Sequence, residues 1–122
     1  MSIDRKALLR AYKEQPRPMG IWRVTNVTNG RALVGASVDV PSMLNRQRVQ
    51  LRVGGHRNEA LQRDWNALGE AAFAFETVDL LKPRDEPGYD PADDLAALEA
   101  MWLEQLQPFD ERGYNRRARP RP

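Results

Sequence analysis

Two kinds of residue in this chain could do chemistry together: one carboxylate set in an apolar strand, and a run of guanidinium groups free of neighbouring acids. Glu76 lies in the stretch AAFAFETVDLL, where alternation puts Ala74, Glu76, Val78 and Leu80 on one face and Phe73, Phe75 and Thr77 on the other. A carboxylate in such a row must be paired, metal-bound or beside an opening, because burying it alone is costly. Arg46, Arg48, Arg52 and Arg57 fall between Pro41 and Asn58 with no acid among them, and the only histidine, His56, follows Gly54-Gly55. From Asp85 to Glu111 the ionisable side chains other than Tyr89 are all acidic, and the end of the chain is basic again through Arg112, Arg116, Arg117, Arg119 and Arg121. Charge divided in this way suits a polyanion on one face. Solvated helix faces would give the same pattern.

The elements that must position these groups are built around Met19 to Ser37. Two short apolar runs flank Asn29-Gly30, a dipeptide suited to a tight hairpin turn, and predict strands over about Gly20 to Val27 and Arg31 to Ala36. Gly20 and Gly35 stand at the outer ends of these strands, where another backbone or a phosphate could come close. Ahead of the hairpin, Asp4 to Glu14 reads as a short amphipathic helix carrying Ile3, Leu8, Leu9 and Tyr12, stopped by Pro16 and Pro18. A second helix is expected over Pro41 to Val53, with proline in its first turn. Asn58 can cap a third, whose Leu61, Trp65 and Leu68 make a stripe toward a core and which Gly69 ends. The third strand runs over Ala72 to Leu81. Asp90 or Asp93 can cap the last helix, with Leu95, Leu98, Trp102 and Leu106 on one side and Pro108 after it.

A chain of 122 residues is one domain's worth, with 41% hydrophobic and 30% charged residues and a formal net charge of +2. There is no apolar run long enough for a membrane span and no signal-peptide core. Cysteine is absent, which excludes disulfides and thiolate metal sites, and a reducing cytoplasm fits. The expected class is α/β, a small three-stranded antiparallel sheet flanked by helices. Residues 1–17 form a lead-in, 18–115 the domain and 116–122 a basic tail.

Gly20-Ile21-Trp22, then Leu33-Val34-Gly35, the arginine helix, the strand glutamate and the late Tyr114-Asn115 come in an order that resembles the GIY-YIG nuclease superfamily, especially its small stand-alone bacterial members. The resemblance spans Pro18 to about Asn115. It implies Mg²⁺- or Mn²⁺-dependent hydrolysis of a DNA phosphodiester, with Glu76 as metal ligand and Trp22, Leu33, Arg46 and Glu76 at the catalytic positions. Gly20, Gly35, Arg48, His56 and Asn115 would contact substrate, Arg46 or Arg48 standing for the family's helix arginine. A divalent ion on a carboxylate would draw charge from the phosphate, and a guanidinium would hold two of its oxygens. Trp22 and Leu33 occupy the places of the two motif tyrosines. An indole cannot act as a base and leucine has nothing to titrate, so Ser37, Tyr12 and His56 are the candidate replacements. The same departures fit a catalytically inactive DNA-binding module. A third reading is a protein-interaction domain working through Asp93, Asp94 and Glu99 of the acidic last helix.

Overall fold

Residues 17–117 are described by the computed structural model, so the helix expected over Asp4 to Glu14, with Tyr12, lies outside the described residues, as does the chain beyond Arg117. The hairpin forms as strands β1 (Gly20–Asn26) and β2 (Ala32–Ser37), paired antiparallel with Gly20 opposite Ser37 and Val24 opposite Leu33. Strand β3 (Phe73–Leu80) adds antiparallel to the other side of β1, giving the order β2-β1-β3. Three helices complete the α/β fold: α1 (Val40–Val53), α2 (Glu59–Leu68) and α3 (Ala92–Leu106). Among the described residues, none of the helices is long and apolar enough to cross a membrane.

The turn is wider than the Asn29-Gly30 dipeptide suggests. Asn26 N–H donates to Arg31 O at 2.8 Å, closing a four-residue loop in which Gly30 alone has a positive φ, of 79°. The organiser is Asn26, fully buried at the end of β1. Its Oδ1 accepts from the Thr28 N–H at 3.1 Å and the Thr28 hydroxyl at 2.6 Å, while its Nδ2 donates to the Tyr114 hydroxyl at 3.1 Å. An asparagine satisfied at both ends of its amide can be buried without an orphaned polar atom.

Alternation along β1 sends Trp22 and Val24 to one face of the sheet, where they pack with Val40 and Leu51 of α1, Leu61 and Trp65 of α2, and Phe73. On the other face Ile21 and Val34 meet Leu98, Trp102, Leu103 and Leu106 of α3, along with Val78. Helix α1 begins at an Asp39 cap, whose carboxylate accepts from Ser42 N–H at 3.3 Å and Ser42 Oγ at 2.8 Å, with proline in the first turn. Asn58 caps α2, accepting from Leu61 N–H at 3.0 Å. The α2 stripe differs from expectation at its end. Leu68 is 47% exposed, and Gln62 takes the buried place, donating to Leu51 O at 3.0 Å and accepting from His56 N–H at 3.1 Å. Asp90 accepts from Ala92 N–H at 3.0 Å as α3 starts, Asp93 lies inside the first turn, and a left-handed Gln107 ends the helix before Pro108.

After α3 the chain returns to the outer edge of β2. Tyr114 N–H donates to Ala32 O at 2.8 Å, and the Asn115 side chain makes a reciprocal pair with Val34, accepting from its N–H and donating to its C=O, both at 2.8 Å. One side-chain amide thus completes the strand as a further backbone would. Gly113 lets this happen, because a Cβ there would lie 2.0 Å from Pro108 O.

Candidate nucleic-acid interface

The two motif segments meet at an open cleft of about 400 Å³, lined by Trp22 from β1, Leu33 and Val34 from β2, Gln47 and Gln50 from α1, and His56, Arg57, Asn58, Tyr114, Asn115 and Arg116. Asn58, Tyr114, Asn115 and Arg116 also line a second cleft of about 480 Å³, which continues past Arg31, Arg63 and Arg117. The sequence-expected Trp22, Leu33, His56 and Asn115 are therefore brought together. Arg46, Arg48 and Glu76 are not among the residues lining either cleft.

The reason lies in the pleat. Arg23 opposes Glu76 in register, and the two form an ion pair at 2.9 Å on a partly exposed surface. Of the options open to a strand carboxylate, pairing at an exposed surface is the one realised, and the partner is Arg23 rather than Arg46 or Arg48. Arg48 lies over the neighbouring Phe75 ring, 4.4 Å from its centroid, on the face that packs α1. Consecutive residues of a strand point oppositely, so Glu76 and Arg48 project from opposite sides of the sheet and cannot converge on one phosphate. Arg46 is exposed on α1, and Arg52 makes a two-pronged pair with Glu70 at 2.6 and 2.7 Å. The cations on the joined clefts are instead Arg57, Arg63 and Arg116, together with Arg31 and Arg117, which are held to Asp64 and Asp110 at 3.6 and 3.1 Å.

The two motif glycines serve the protein's own packing. A Cβ on Gly20 would lie 2.0 Å from Asp79 O, so the backbone that approaches it is β3. At Gly35 the neighbour is Trp22, whose Cζ2 would be 2.6 Å from a Cβ, and the indole occupies the space that glycine leaves. Trp22 is 7% exposed, and its Nε1–H has no hydrogen-bond partner among the described residues. The bulk of the indole thus fills the motif position without supplying an acceptor.

His56 is held at both nitrogens. Nδ1 accepts from Asn58 N–H at 3.0 Å, which leaves the proton on Nε2 to donate to Gln47 Oε1. Burial pushes its pKa below the usual 6.5, so the ring is neutral at pH 7. As this is the chain's only histidine, its Cε1–H resonance should titrate with a midpoint below 6.5. The unfolded chain takes up that proton first, so stability should fall as pH drops below about 6.5 and the slope should weaken in His56→Gln. Chemical denaturation between about pH 5 and 7.5 measures it. Tyr114 is also unavailable as a base. Burial and its 2.6 Å hydrogen bond to Asp64 raise its pKa to about 12, so the phenol stays protonated and donates. Arg31 stacks on its ring at 4.6 Å. Asn115, expected at the substrate, has its amide nitrogen and oxygen engaged by Val34.

A divalent metal is implied by the resemblance, and the residues present do not fit one. Mg²⁺ and Mn²⁺ favour carboxylate oxygens, yet no described residue lining the motif cleft is a carboxylate, and Glu76 is tied to Arg23 elsewhere. No group of three or more His, Asp or Glu suited to a metal occurs among the described residues.

Element order, the antiparallel sheet and the helix positions define the catalytic-domain fold of the GIY-YIG nucleases. The catalytic domain of the homing endonuclease I-TevI matches with a TM-score of 0.63 and 26% identity, over 80% of this chain and 96% of that one. A glutamate-to-alanine mutant of the I-TevI catalytic domain matches with a TM-score of 0.65 and 23% identity, over 80% and 92%. These likenesses support the GIY-YIG superfamily. No family model and no curated protein matches the sequence.

Proposed function

We propose that this chain is a DNA-binding domain of GIY-YIG fold that grips the phosphate backbone without cutting it. The observation that carries the reading is the make-up of the joined clefts: Arg57, Arg63 and Arg116 stand around the motif residues, while the tyrosine positions hold Trp22 and Leu33 and the carboxylate is elsewhere. Exposed guanidinium groups can each meet a phosphate and release its condensed counterions. Glu59 and Asp110 on the second cleft temper the field there, Asp110 through its pair with Arg117. Among the described residues lining the motif cleft none is poised to take a proton from water, and a missing general base alone lowers a rate by about 10²–10⁴.

The test is binding of short duplex and single-stranded DNA as a function of salt, with and without EDTA. Log K should fall linearly with log salt and be indifferent to chelator. Affinity that ignores salt would reject the reading.

A second reading, DNA hydrolysis with Mg²⁺ or Mn²⁺ on Glu76, is supported by the solved relatives being endonuclease catalytic domains. Supercoiled plasmid incubated with Mn²⁺ separates the two. The binding reading expects no nicking above background. Nicking that Glu76→Ala abolishes would establish hydrolysis at that carboxylate.

A further inference from the structure

The motif cleft combines an apolar side with cations. Trp22, Leu33 and Val34 supply the apolar side, and the exposed Arg57 and Arg116 line it as well. Most of its other polar side chains are already committed inside the protein. His56 is engaged at both nitrogens, one of them by Gln47, whose Nε2 donates to Met43 Sδ at 3.4 Å. Asn58 accepts from Leu61 N–H and donates to Tyr114 O at 2.7 Å. Asn115 is paired with Val34, and the Tyr114 hydroxyl with Asp64 and Asn26.

Besides the buried Trp22 Nε1–H, three groups of the lining are left without a partner among the described residues: the amide of Gln50 and the guanidinium groups of Arg57 and Arg116. Gln50 is half-buried and follows Gln47 by three positions on α1, so both side chains turn to the same side of the helix. An apolar wall, one free amide and two guanidinium groups are the complement of a single nucleotide. Guanidinium groups match the phosphate oxygens on either side of it. The amide sets a donor beside an acceptor, the pattern by which glutamine reads adenine. An unstacked ring can lay a face on the apolar wall. The cleft, of about 400 Å³, lies toward the low end of the roughly 300–1,000 Å³ range of small-ligand clefts, a size for one base and not for a helix. Inside a duplex a base cannot enter such a recess, because its faces are stacked and its pairing edge is occupied.

We propose, building on the phosphate grip inferred above, that the motif cleft receives one unpaired nucleobase of single-stranded DNA. Its flanking phosphates lie on Arg57 and Arg116, its hydrogen-bonding edge meets Gln50, and its ring rests against Leu33. The positions that resemble the family's tyrosines then serve as the wall of a base pocket.

The test titrates full-length protein, at one salt concentration, with a short labelled single strand, the same strand as a duplex, and an abasic chain of equal length. The single strand should bind roughly tenfold or more tightly than either of the others. Equal affinity for the single strand and the abasic chain, or a duplex bound as tightly as the single strand, overturns the base pocket and leaves the phosphate grip standing. Failure of all three to bind overturns both. Gln50 supplies the local readout. Its side-chain amide resonance, assigned by its loss in Gln50→Ala, should shift with the single strand and stay in place with the abasic chain. A shift with both, or with neither, overturns the proposal. Leu33→Trp, which fills the cleft, should bring the single-strand and abasic affinities together, and a ratio unchanged from the parent would place the base elsewhere and equally overturn it.

Discussion

Gly20→Ala should remove a large part of the domain's stability. The new Cβ would lie 2.0 Å from Asp79 O and 2.9 Å from Leu80 Cα, both backbone atoms of the adjacent strand. No side-chain rotation can relieve that overlap. Gly20 pairs with Ser37 on one side and Leu80 on the other, next to the register shift between Ile21 and Trp22. Relief therefore means parting β1 from β3 where the ladder is already irregular. Overpacking commonly costs 1–3 kcal/mol when side chains can shift, and a backbone obstacle belongs at or above about 3 kcal/mol. Small domains have only about 5–15 kcal/mol in total. Thermal unfolding followed by tryptophan fluorescence should show a large drop in midpoint. Gly30→Ala is the useful contrast, because nothing lies within 4 Å of a Cβ there and only the positive φ of 79° is strained. It should cost about 1 kcal/mol. If the two variants melted alike, the close approach of β3 at Gly20 would be wrong.

The second large effect concerns the clefts. Replacing Arg57, Arg63 and Arg116 together by alanine should weaken DNA binding on the order of 100-fold near 0.1 M salt and reduce the salt slope by about three. All three are exposed, so the fold should be untouched. Replacing Arg46 and Arg48 is the matched comparison. Arg48 is engaged with Phe75, and neither lines the clefts, so that pair should change affinity little. Fluorescence anisotropy with a labelled duplex reads both variants. The reverse ranking would move the interface to α1.

Much of the fold is legible in the sequence because its signals are local. Asn58 before an apolar stripe, proline in the first turn of α1 and the alternation of β3 each act within a few residues, and each element appears where those signals place it. The site is harder to read because its members come from separate elements. Glu76 is drawn out by Arg23, 53 residues earlier, and only the register of β1 against β3 brings them opposite. Arg63 belongs to α2, where its sequence neighbours suggest an ordinary solvated face, and the return of Tyr114 to Arg116 beside it makes the cleft. In the sequence Asn26 is simply a residue of the first strand, expected over Gly20 to Val27. That it organises the loop depends on Tyr114, 88 positions away. The sequence suggests Asn115 for the substrate, whereas its amide pairs with the Val34 backbone, which would otherwise face outward unpaired.

The return of residues 113–115 has a bearing on how the protein behaves when shortened. Ending the chain ahead of Gly113 would strip the cover from Ala32 and Val34, whose polar groups would then face solvent along a largely apolar edge strand. Such a border is a template onto which another molecule can add its own strand. Truncated forms should therefore lose solubility through self-association before they lose their secondary structure.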